Sequence, residues 1–327
     1  MKVLLTGPSG RVGYTTFSRL LGAGHEVRCF DTRKNFLSHP SGFNESIEHY
    51  WRNKGHEFEW VWGDIRNADD VRAAVVDDVD VVIHHAAMTL PSHCEEEWEY
   101  CWEVNYYGTL NVIAAIQQSS KSPKLIYSSS VANYGFQLEG CDAFIESDPQ
   151  PSTCTYAATK IASELAIRKS GINFTIMRMA SAIDYRAPHL LMMSSADMQE
   201  RAAKEMKLKT PTSPAHWVSV DDVNTAYLNA IANPASDHQT YNIAGPEDCR
   251  TSFKSFQDEL SIALGAKTSS DSDWGKKPYP QHYYDISTAD AVLDFAHTPL
   301  IKILKNMTDA LADIGEFLEL SQPDASC

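Results

Sequence analysis

Short apolar runs alternate with amphipathic stretches through the first half of this 327-residue chain. The runs of strand length are "KVLLT" (2–6), "EVRCF" (26–30), "FEWVW" (58–62), "DVVIH" (80–84), "KLIYS" (124–128) and "NFTIMR" (173–178). Between them, residues 68–76, 97–118 and 154–169 show helical amphipathic patterns. Strands this apolar, separated by helices, are typical of a parallel sheet covered on both faces. The pattern therefore predicts a doubly wound α/β fold.

The second half is less regular. Residues 186–216 are rich in Met, Lys, Pro and Ser without clear periodicity. Beyond them the pattern predicts strands near 217–220 and 240–244 and helices near 222–232, 252–264 and 298–318. We expect a regular part over 1–178 and a smaller, mixed α/β part over 179–327 that covers a substrate, with its two strands returning toward the core. The polar stretch 32–57 predicts a surface loop or short helix.

Composition narrows the choice of partners. A formal charge of −15 and a pI near 5.2 argue against binding to nucleic acid or to an anionic membrane, because phosphate binding needs an excess of Lys and Arg. Seven scattered cysteines without a C-x-x-C pair indicate neither a zinc knuckle nor a secreted disulfide framework. No apolar run is long enough to span a bilayer, and a strand begins at Lys2, so we expect a cytoplasmic protein.

The first strand is followed at once by "TGPSGRVG". Glycines at a strand-to-helix turn let the backbone approach a pyrophosphate, whose charge the helix N-terminus stabilises. The spacing is G-x-x-G-x-x-G, and on its own it is also compatible with a plain turn. The cofactor-binding residues predicted in this turn are Gly7, Ser9, Gly10, Arg11, Val12 and Gly13.

The ends of the next strands point to the same ligand. Asp31 ends the second strand, where a carboxylate can accept hydrogen bonds from both ribose hydroxyls and would repel a 2′-phosphate, so NAD is favoured over NADP. Arg33 leaves some tolerance of NADP open. The further cofactor-binding residues predicted at the third and fourth strand ends are Asp64, Ile65, His85, Ala86 and Ala87.

A tyrosine and a lysine lie four residues apart in "YAATK", and therefore on one face of a helix. A free Tyr has a pKa of about 10, and a nearby ammonium favours the phenolate. Tyr156 can then act as acid and base while Lys160 holds the nicotinamide ribose. The serines of "SSSVANYGF" at the end of the fifth strand can orient the reacting oxygen, although at least one of them is expected to serve only as a cap or turn.

Taken together, these motifs resemble the extended short-chain dehydrogenases/reductases, the NAD-dependent epimerase/dehydratase family. The resemblance rests on "TGPSGRVG", Asp31, "GDI", "HHAA", "NYYGTLNVIAA", "SSSVANYG", "YAATK", Arg178, "WVSVDDV" and "YNIAGP", which follow the family order over nearly the whole chain. It implies a seven-stranded Rossmann domain that binds NAD and a catalytic triad of Ser130, Tyr156 and Lys160. It also implies that Ser128 and Met179 lie on the cofactor side, that Asn105 supports the active-site helix, and that a homodimer forms through a four-helix bundle.

Two departures from the family pattern bear on the reaction and the substrate. Val131 and Ala132 stand where family dehydratases carry an acidic pair, so elimination is disfavoured. Ser181 replaces a diphosphate-binding Asn, and Ala215-His216 replace Arg-Asp, so a charged contact to a nucleotide is lost. We expect reversible hydride transfer at a secondary alcohol or ketone of a sugar, sugar acid or other small carbonyl substrate.

Alternatives remain open at this stage. A nucleotide-sugar 4-epimerase that retains its NAD would use the same residues. A non-catalytic NAD(H) sensor is a weaker alternative, because a sensor has no need of the Tyr/Lys pair. The acidic run "HCEEEWEY" (93–100) could suggest metal ligands, but it is better explained as the start of a helix, and no metal site is predicted.

Overall fold

The computed structural model describes residues 1–33, 45–136, 142–186, 206–263, 267–277 and 282–320, with the backbone alone for 45–47 and 313–320. Residues 34–44 of the predicted surface stretch 32–57 and residues 187–205 of the irregular segment lie outside the described residues. The described strands are β1 (Lys2–Thr6), β2 (Glu26–Asp31), β3 (Phe58–Trp62), β4 (Val81–His84), β5 (Lys124–Ser130), β6 (Phe174–Met179), β7 (Ser181–Ile183), β8 (Pro214–Ser219), β9 (Gln239–Ile243) and β10 (Arg250–Ser252).

Helices cover the sheet and fill the second half of the chain. The described α-helices are α1 (Arg11–Gly22), α2 (Glu45–Asn53), α3 (Ala68–Ala74), α4 (Pro91–Glu96), α5 (Trp98–Trp102), α6 (Gly108–Gln118), α7 (Thr155–Lys169), α8 (Val220–Ala232), α9 (Phe253–Ala263), α10 (Ser287–Leu293) and α11 (Leu300–Leu320). The continuous helix predicted over 97–118 is instead α5, a π-helical turn at Glu103–Tyr107 and α6. No helix in the described ranges is both long and apolar enough to cross a bilayer.

Seven parallel strands form the central sheet, in the order β3-β2-β1-β4-β5-β6-β9. Successive side chains of a strand point to opposite faces, and both faces are buried here. In β1, Val3 and Leu5 pack with α1 and α8 on one face, while Leu4 packs with α3 and α6 on the other. The predicted doubly wound fold of about seven strands is confirmed.

The second half contributes to both sheets. β9 joins the central sheet beside β6, whereas β8, the strand predicted near 217–220, pairs with β7 and β10 in a separate three-stranded sheet. Trp217 of that small sheet packs on Phe256 of α9 and near Ile303 of α11, which gives it a core of its own. The division of the chain at residue 178 into a cofactor part and a substrate part stays a prediction.

A buried ion pair ties α7 to the central sheet. Arg178 of β6 and Glu164 of α7 lie 2.7 Å apart (Nη2 to Oε2), and both side chains are 1% exposed. Ser129 of β5 donates to Glu164 Oε1 at 2.5 Å, and Arg178 Nη1 donates to the Tyr134 hydroxyl at 2.7 Å. Burial raises the pKa of Glu164, but the hydrogen bonds and charge of Arg178 outweigh burial and hold that pKa below its ordinary value.

Removing one charge of this pair should therefore be costly. Glu164→Gln leaves the Arg178 guanidinium buried without its counter-charge, and we expect it to lower the free energy of unfolding by about 3–5 kcal/mol. The matched control is Asp309→Asn, which breaks the exposed Lys305–Asp309 pair of α11 and should cost less than about 1 kcal/mol. Urea unfolding measures both, and equal effects of the two variants would contradict the role given to Glu164.

Candidate active site

The glycine-rich turn between β1 and α1 is closely packed against the end of β4. Gly7 has φ +70°, and a Cβ there would lie 2.8 Å from the backbone nitrogen of Ala86. A Cβ on Gly13 would lie 2.0 Å from the Gly7 carbonyl oxygen. Only glycine fits at these two positions, because the first requires a left-handed backbone and the second leaves no room for a side chain.

The N-terminus of α1 is available to an anion. Gly10 is its N-cap residue and no side chain caps it, so the first-turn N–H groups that lack intrahelical acceptors have no side-chain acceptor either. Ser9 in the same turn has a buried hydroxyl with no hydrogen-bond partner among the described residues. A diphosphate requires an uncapped helix N-terminus and glycines that let it approach the backbone closely. The residues of this turn fit that group.

Asp31 lies beside this turn at the end of β2. Its carboxylate is buried and accepts hydrogen bonds from the backbone N–H of Ser9 at 3.1 Å and of Thr32 at 2.8 Å. Arg33 lies over the indole ring of Trp62, 5.2 Å from its centroid. The structure therefore brings Asp31 to the turn and places the guanidinium of Arg33 on the neighbouring strand end.

Val12 and Arg11, the first residues of α1 after Gly10, make different contacts. Val12 accepts from the hydroxyls of Thr15 and Thr16 through its carbonyl oxygen, which fixes the start of α1. Arg11 is partly buried, and burial lowers the pKa of its guanidinium against the opposing charge of Asp184.

The end of β4 packs against the glycine-rich turn, and the residues after β3 contact other parts of the chain. The backbone nitrogen of Ala86 lies so close to Gly7 that it leaves no room for a Cβ there. It donates to Thr6 Oγ1 at 3.1 Å, and Ala87 is the next residue along the chain. Ile65 is buried against Gly108. Asp64, predicted to bind the cofactor, has its carboxylate in a bidentate ion pair with Arg66 at 2.6–3.0 Å. Its role in cofactor binding stays a prediction.

The predicted triad lies at the end of β5. Ser130 is the last residue of the strand, and its Oγ accepts from the backbone N–H of Ala132 at 3.1 Å while interacting with the Tyr156 phenol. Tyr156 and Lys160 both project from α7 and are buried. Met179 ends β6 directly beside Ser130 in the strand register. The structure brings all three predicted catalytic side chains together.

The ammonium of Lys160 is held by the main chain. Nζ donates to the carbonyl oxygen of Ser128 at 2.8 Å and lies over the rings of Tyr127 and Tyr156, 4.9 and 5.9 Å from their centroids. Burial lowers the pKa of Lys160 to about 8. Burial also raises the pKa of the Tyr156 phenol above its ordinary value, although the nearby Ser130 hydroxyl opposes this shift. The pKa of Tyr156 thus lies above its ordinary value, whereas the sequence led us to expect that Lys160 would lower it.

Three thiols pack around Tyr156. Cys94 and Cys101 are fully buried and pack on the tyrosine ring, together with the partly buried Cys154, Met88 and Ala132. Burial raises the pKa of Cys94 far above its ordinary value, and that of Cys154 also lies above its ordinary value. The thiols of Cys94 and Cys154 are therefore neutral at physiological pH.

Two side chains support α7 and its neighbours. Asn105, in the π-helical turn, donates to Met88 O at 3.0 Å and to Thr159 Oγ1 at 3.1 Å, and accepts from Met88 N at 2.8 Å. Glu95 accepts from the N–H and hydroxyl of Thr155 at 2.6 and 3.0 Å, which caps the first turn of α7. The contact of Asn105 with the helix agrees with the sequence expectation, whereas the role of Glu95 was missed, because an acidic run reveals no partner.

Ala215-His216 stand where nucleotide-sugar enzymes of the family that this chain resembles carry Arg-Asp. Both residues are buried and neutral. His216 is buried, with Nε2 2.9 Å from Gly245 O, and its Nδ1 accepts from Tyr284 N at 3.2 Å. Burial lowers the pKa of His216 to about 4. Ala215 beside it is fully buried, so neither residue supplies a positive charge.

Comparison with known proteins decides the family. The sequence profile described as "NAD dependent epimerase/dehydratase family" matches residues 3–244. The chain belongs to this family. The match confirms the predicted family, which consists of enzymes, and NAD as the cofactor that the family uses.

Individual relatives differ in the names they carry. The chain is 31% identical over 180 residues to a 3 beta-hydroxysteroid dehydrogenase/Delta 5→4-isomerase of Mycobacterium tuberculosis, covering 53% of this chain and 44% of that protein. It is 27% identical over 278 residues to a UDP-glucose 4-epimerase of Mycolicibacterium smegmatis, covering 81% of this chain and 83% of that protein. The alignment thus spans less than half the length of the first relative.

The fold of this family member is also that of solved structures. A UDP-glucose 4-epimerase from Bifidobacterium longum, solved in complex with NAD+ and UDP, superposes with a TM-score of 0.75 at 18% identity, over 96% of this chain and 98% of that one. At this identity the similarity establishes the fold.

The glycine-rich turn generates a paired test. In Gly13→Ala the new Cβ would lie 2.0 Å from Gly7 O and force the turn to shift, so we expect NAD affinity to fall about tenfold or more. Gly22→Ala, in the same helix with no atom within 4 Å of the new Cβ, should leave affinity unchanged. Isothermal titration with NAD measures both. If Gly13→Ala binds NAD as tightly as Gly22→Ala does, the turn does not form the cofactor site.

Proposed function

We propose that this chain is an NAD-dependent oxidoreductase that interconverts a secondary alcohol and a ketone. The observation that carries the proposal is the meeting of Ser130, Tyr156 and Lys160 at the end of β5, beside a turn in which Gly7 and Gly13 admit no side chain. The residues proposed to hold NAD are Gly7, Ser9, Gly10, Arg11, Val12, Gly13, Asp31, Arg33, Asp64, Ile65, His85, Ala86, Ala87, Ser128, Tyr156, Lys160 and Met179.

Each catalytic side chain has one task. NAD, when bound, supplies the acceptor and donor of the hydride. Tyr156 holds or removes the proton at the reacting oxygen through its phenol, and Ser130 orients that oxygen by a hydrogen bond. The Lys160 ammonium, fixed on the Ser128 carbonyl, stabilises the phenolate when Tyr156 has lost its proton.

The neighbours of Ser130 favour simple oxidation and reduction. Val131 is buried, and Ala132 belongs to the group of apolar and thiol side chains around Tyr156. Neither side chain can move a proton, so an elimination has no second acid or base at these positions. This supports reversible hydride transfer.

The proposed substrate is a sugar, a sugar acid or another small carbonyl compound without a nucleotide diphosphate. The support is the neutral His216, whose ring nitrogens are both engaged within the protein.

A second candidate is a 4-epimerase that retains NAD and returns the hydride to the other face of its substrate. Its support is the UDP-glucose 4-epimerase of Mycolicibacterium smegmatis, which aligns with 81% of this chain. A sensor without catalysis has no use for the buried Tyr156 and Lys160 and is the weakest alternative.

Tyr156→Phe tests the reaction. Without the phenol, the transferred proton has no acceptor, so we expect the rate to fall about 10²–10⁴-fold with little change in NAD affinity. Tyr50→Phe, an exposed tyrosine of α2, is the control and should be unaffected. NADH absorbance and product analysis with sugars, sugar acids and small secondary alcohols give the readout.

The outcomes separate the candidates. Stoichiometric NADH formation by the wild type supports the dehydrogenase, whereas an isomerised product without NADH supports the epimerase. A full rate in Tyr156→Phe would contradict both.

We also propose a homodimer formed through a four-helix bundle. The support is a set of exposed apolar side chains, Trp98 of α5, Tyr107 of the π-helical turn and Leu165 of α7, on helical elements that pack against one another. A second copy of the chain would cover these side chains, and burial of apolar surface favours association. The cytoplasmic location remains a prediction.

The dimer is tested by sedimentation. We expect the wild type at twice the 36.4 kDa chain mass and Leu165→Glu at the monomer mass, because a carboxylate in the interface loses its hydration. Ile301→Glu, at another exposed apolar position on α11, should remain dimeric. A monomeric wild type, or dissociation of both variants alike, would refute this interface.

A further inference from the structure

His85 lies between the glycine-rich turn and the end of β5, with both ring nitrogens in hydrogen-bond contact. Nε2 is 3.1 Å from Thr16 Oγ1, and Nδ1 is 2.5 Å from Ser128 Oγ. The ring also packs edge-on against Tyr227, with the two centroids 4.8 Å apart. An imidazole held at both nitrogens and on one side has a fixed orientation.

These contacts belong to a longer path. On one side, Thr16 Oγ1 lies 2.9 Å from the carbonyl oxygen of Val12 in the glycine-rich turn. On the other side, Lys160 donates to the carbonyl of Ser128, the residue whose side chain His85 holds. His85 is therefore the middle of a hydrogen-bonded path from the turn to the catalytic lysine.

The donor and the acceptor of each hydrogen bond along this path follow from the number of protons that its groups can donate. Thr16 Oγ1 lies 2.7 Å from Asn224 Oδ1, which can only accept, and Ser128 Oγ lies 2.7 Å from the Tyr227 hydroxyl. Thr16 has one hydroxyl proton, which goes to Val12 O or to Asn224 Oδ1, and both of these atoms can only accept. In either case Thr16 accepts from His85 Nε2–H, Nδ1 accepts from Ser128, and Ser128 accepts from Tyr227. In the reverse direction Asn224 Oδ1 loses this donor, and the Tyr227 O–H has no acceptor among the described residues.

A neutral ring fits this environment. Burial lowers the pKa of His85 to about 3, and the nearby charge of Lys160 acts in the same direction. The ring therefore keeps one proton throughout the physiological range, and the satisfied direction assigns that proton to Nε2.

We propose that His85 is a positioning residue that, as the neutral Nε2–H tautomer, links the glycine-rich turn to the strand end that holds Lys160. The link would keep the turn and the ammonium at a constant separation, although neither ring nitrogen takes part in the reaction. The inference rests on the proposed function, since it assigns the turn to the cofactor and Lys160 to catalysis.

The tautomer is tested directly by NMR of the full chain labelled with ¹⁵N in histidine, with His85→Gln used for assignment. We expect a protonated Nε2 and an unprotonated Nδ1 for His85, unchanged between pH 8 and pH 5. A protonated Nδ1, or a ring that becomes cationic in this range, would overturn the proposal. This measurement needs no substrate, so its result does not depend on the proposed reaction.

The positioning role is tested with two variants. His85→Leu removes both hydrogen bonds at similar volume, and we expect NAD affinity and kcat each to fall about tenfold, the effect of losing a buried hydrogen bond. His85→Gln keeps an amide that can replace one bond and should recover part of both losses. Unchanged values in His85→Leu, or losses that His85→Gln does not recover, would overturn the role. If the wild type binds no NAD, the proposed function fails separately.

Discussion

The ammonium of Lys160, buried at the end of β5 and held by the carbonyl oxygen of Ser128, is the interaction on which the rest of the site depends. A buried charge is costly unless a polar group stabilises it, and here the stabilising group is the main chain of a central strand. The strand is fixed by parallel neighbours on both sides. The position of the ammonium, and through α7 that of Tyr156, is thus set by the sheet.

Several other features preserve this arrangement. The Glu164–Arg178 ion pair holds α7 against β6. Glu95 caps the first turn of α7, and Asn105 joins α7 to the loop after β4. At the neighbouring strand end, the glycine-rich turn packs so closely on Ala86 that no side chain fits. The carboxyl ends of parallel strands meet at one edge of the sheet, which explains why motifs far apart in the sequence form one site.

The sequence predicts the sheet, and it brings Tyr156 and Lys160 together, because both depend on local signals, while the catalytic role of the triad stays a prediction. Apolar runs mark strands buried on both faces, and the spacing of Tyr156 and Lys160 places them on one face of a helix. What it missed depends on partners distant in sequence. The break at Glu103–Tyr107, which places Asn105, leaves no mark in the amphipathic pattern of 97–118, and no local signal pairs Glu95 with Thr155 or His85 with Thr16. Glu164 lies four residues after Lys160, so helical spacing alone places both side chains on one face of α7.

The titration of the Lys160 amine tests the central claim most directly. NMR of the cofactor-free protein with labelled lysine side chains, assigned by Lys160→Arg, follows the charge of this one group as pH is raised. Because burial disfavours the ammonium, the account predicts that it loses its proton near pH 8. A midpoint near the ordinary lysine value of about 10.4 would contradict the account, because it would mean that the amine is solvated and is not held in the sheet.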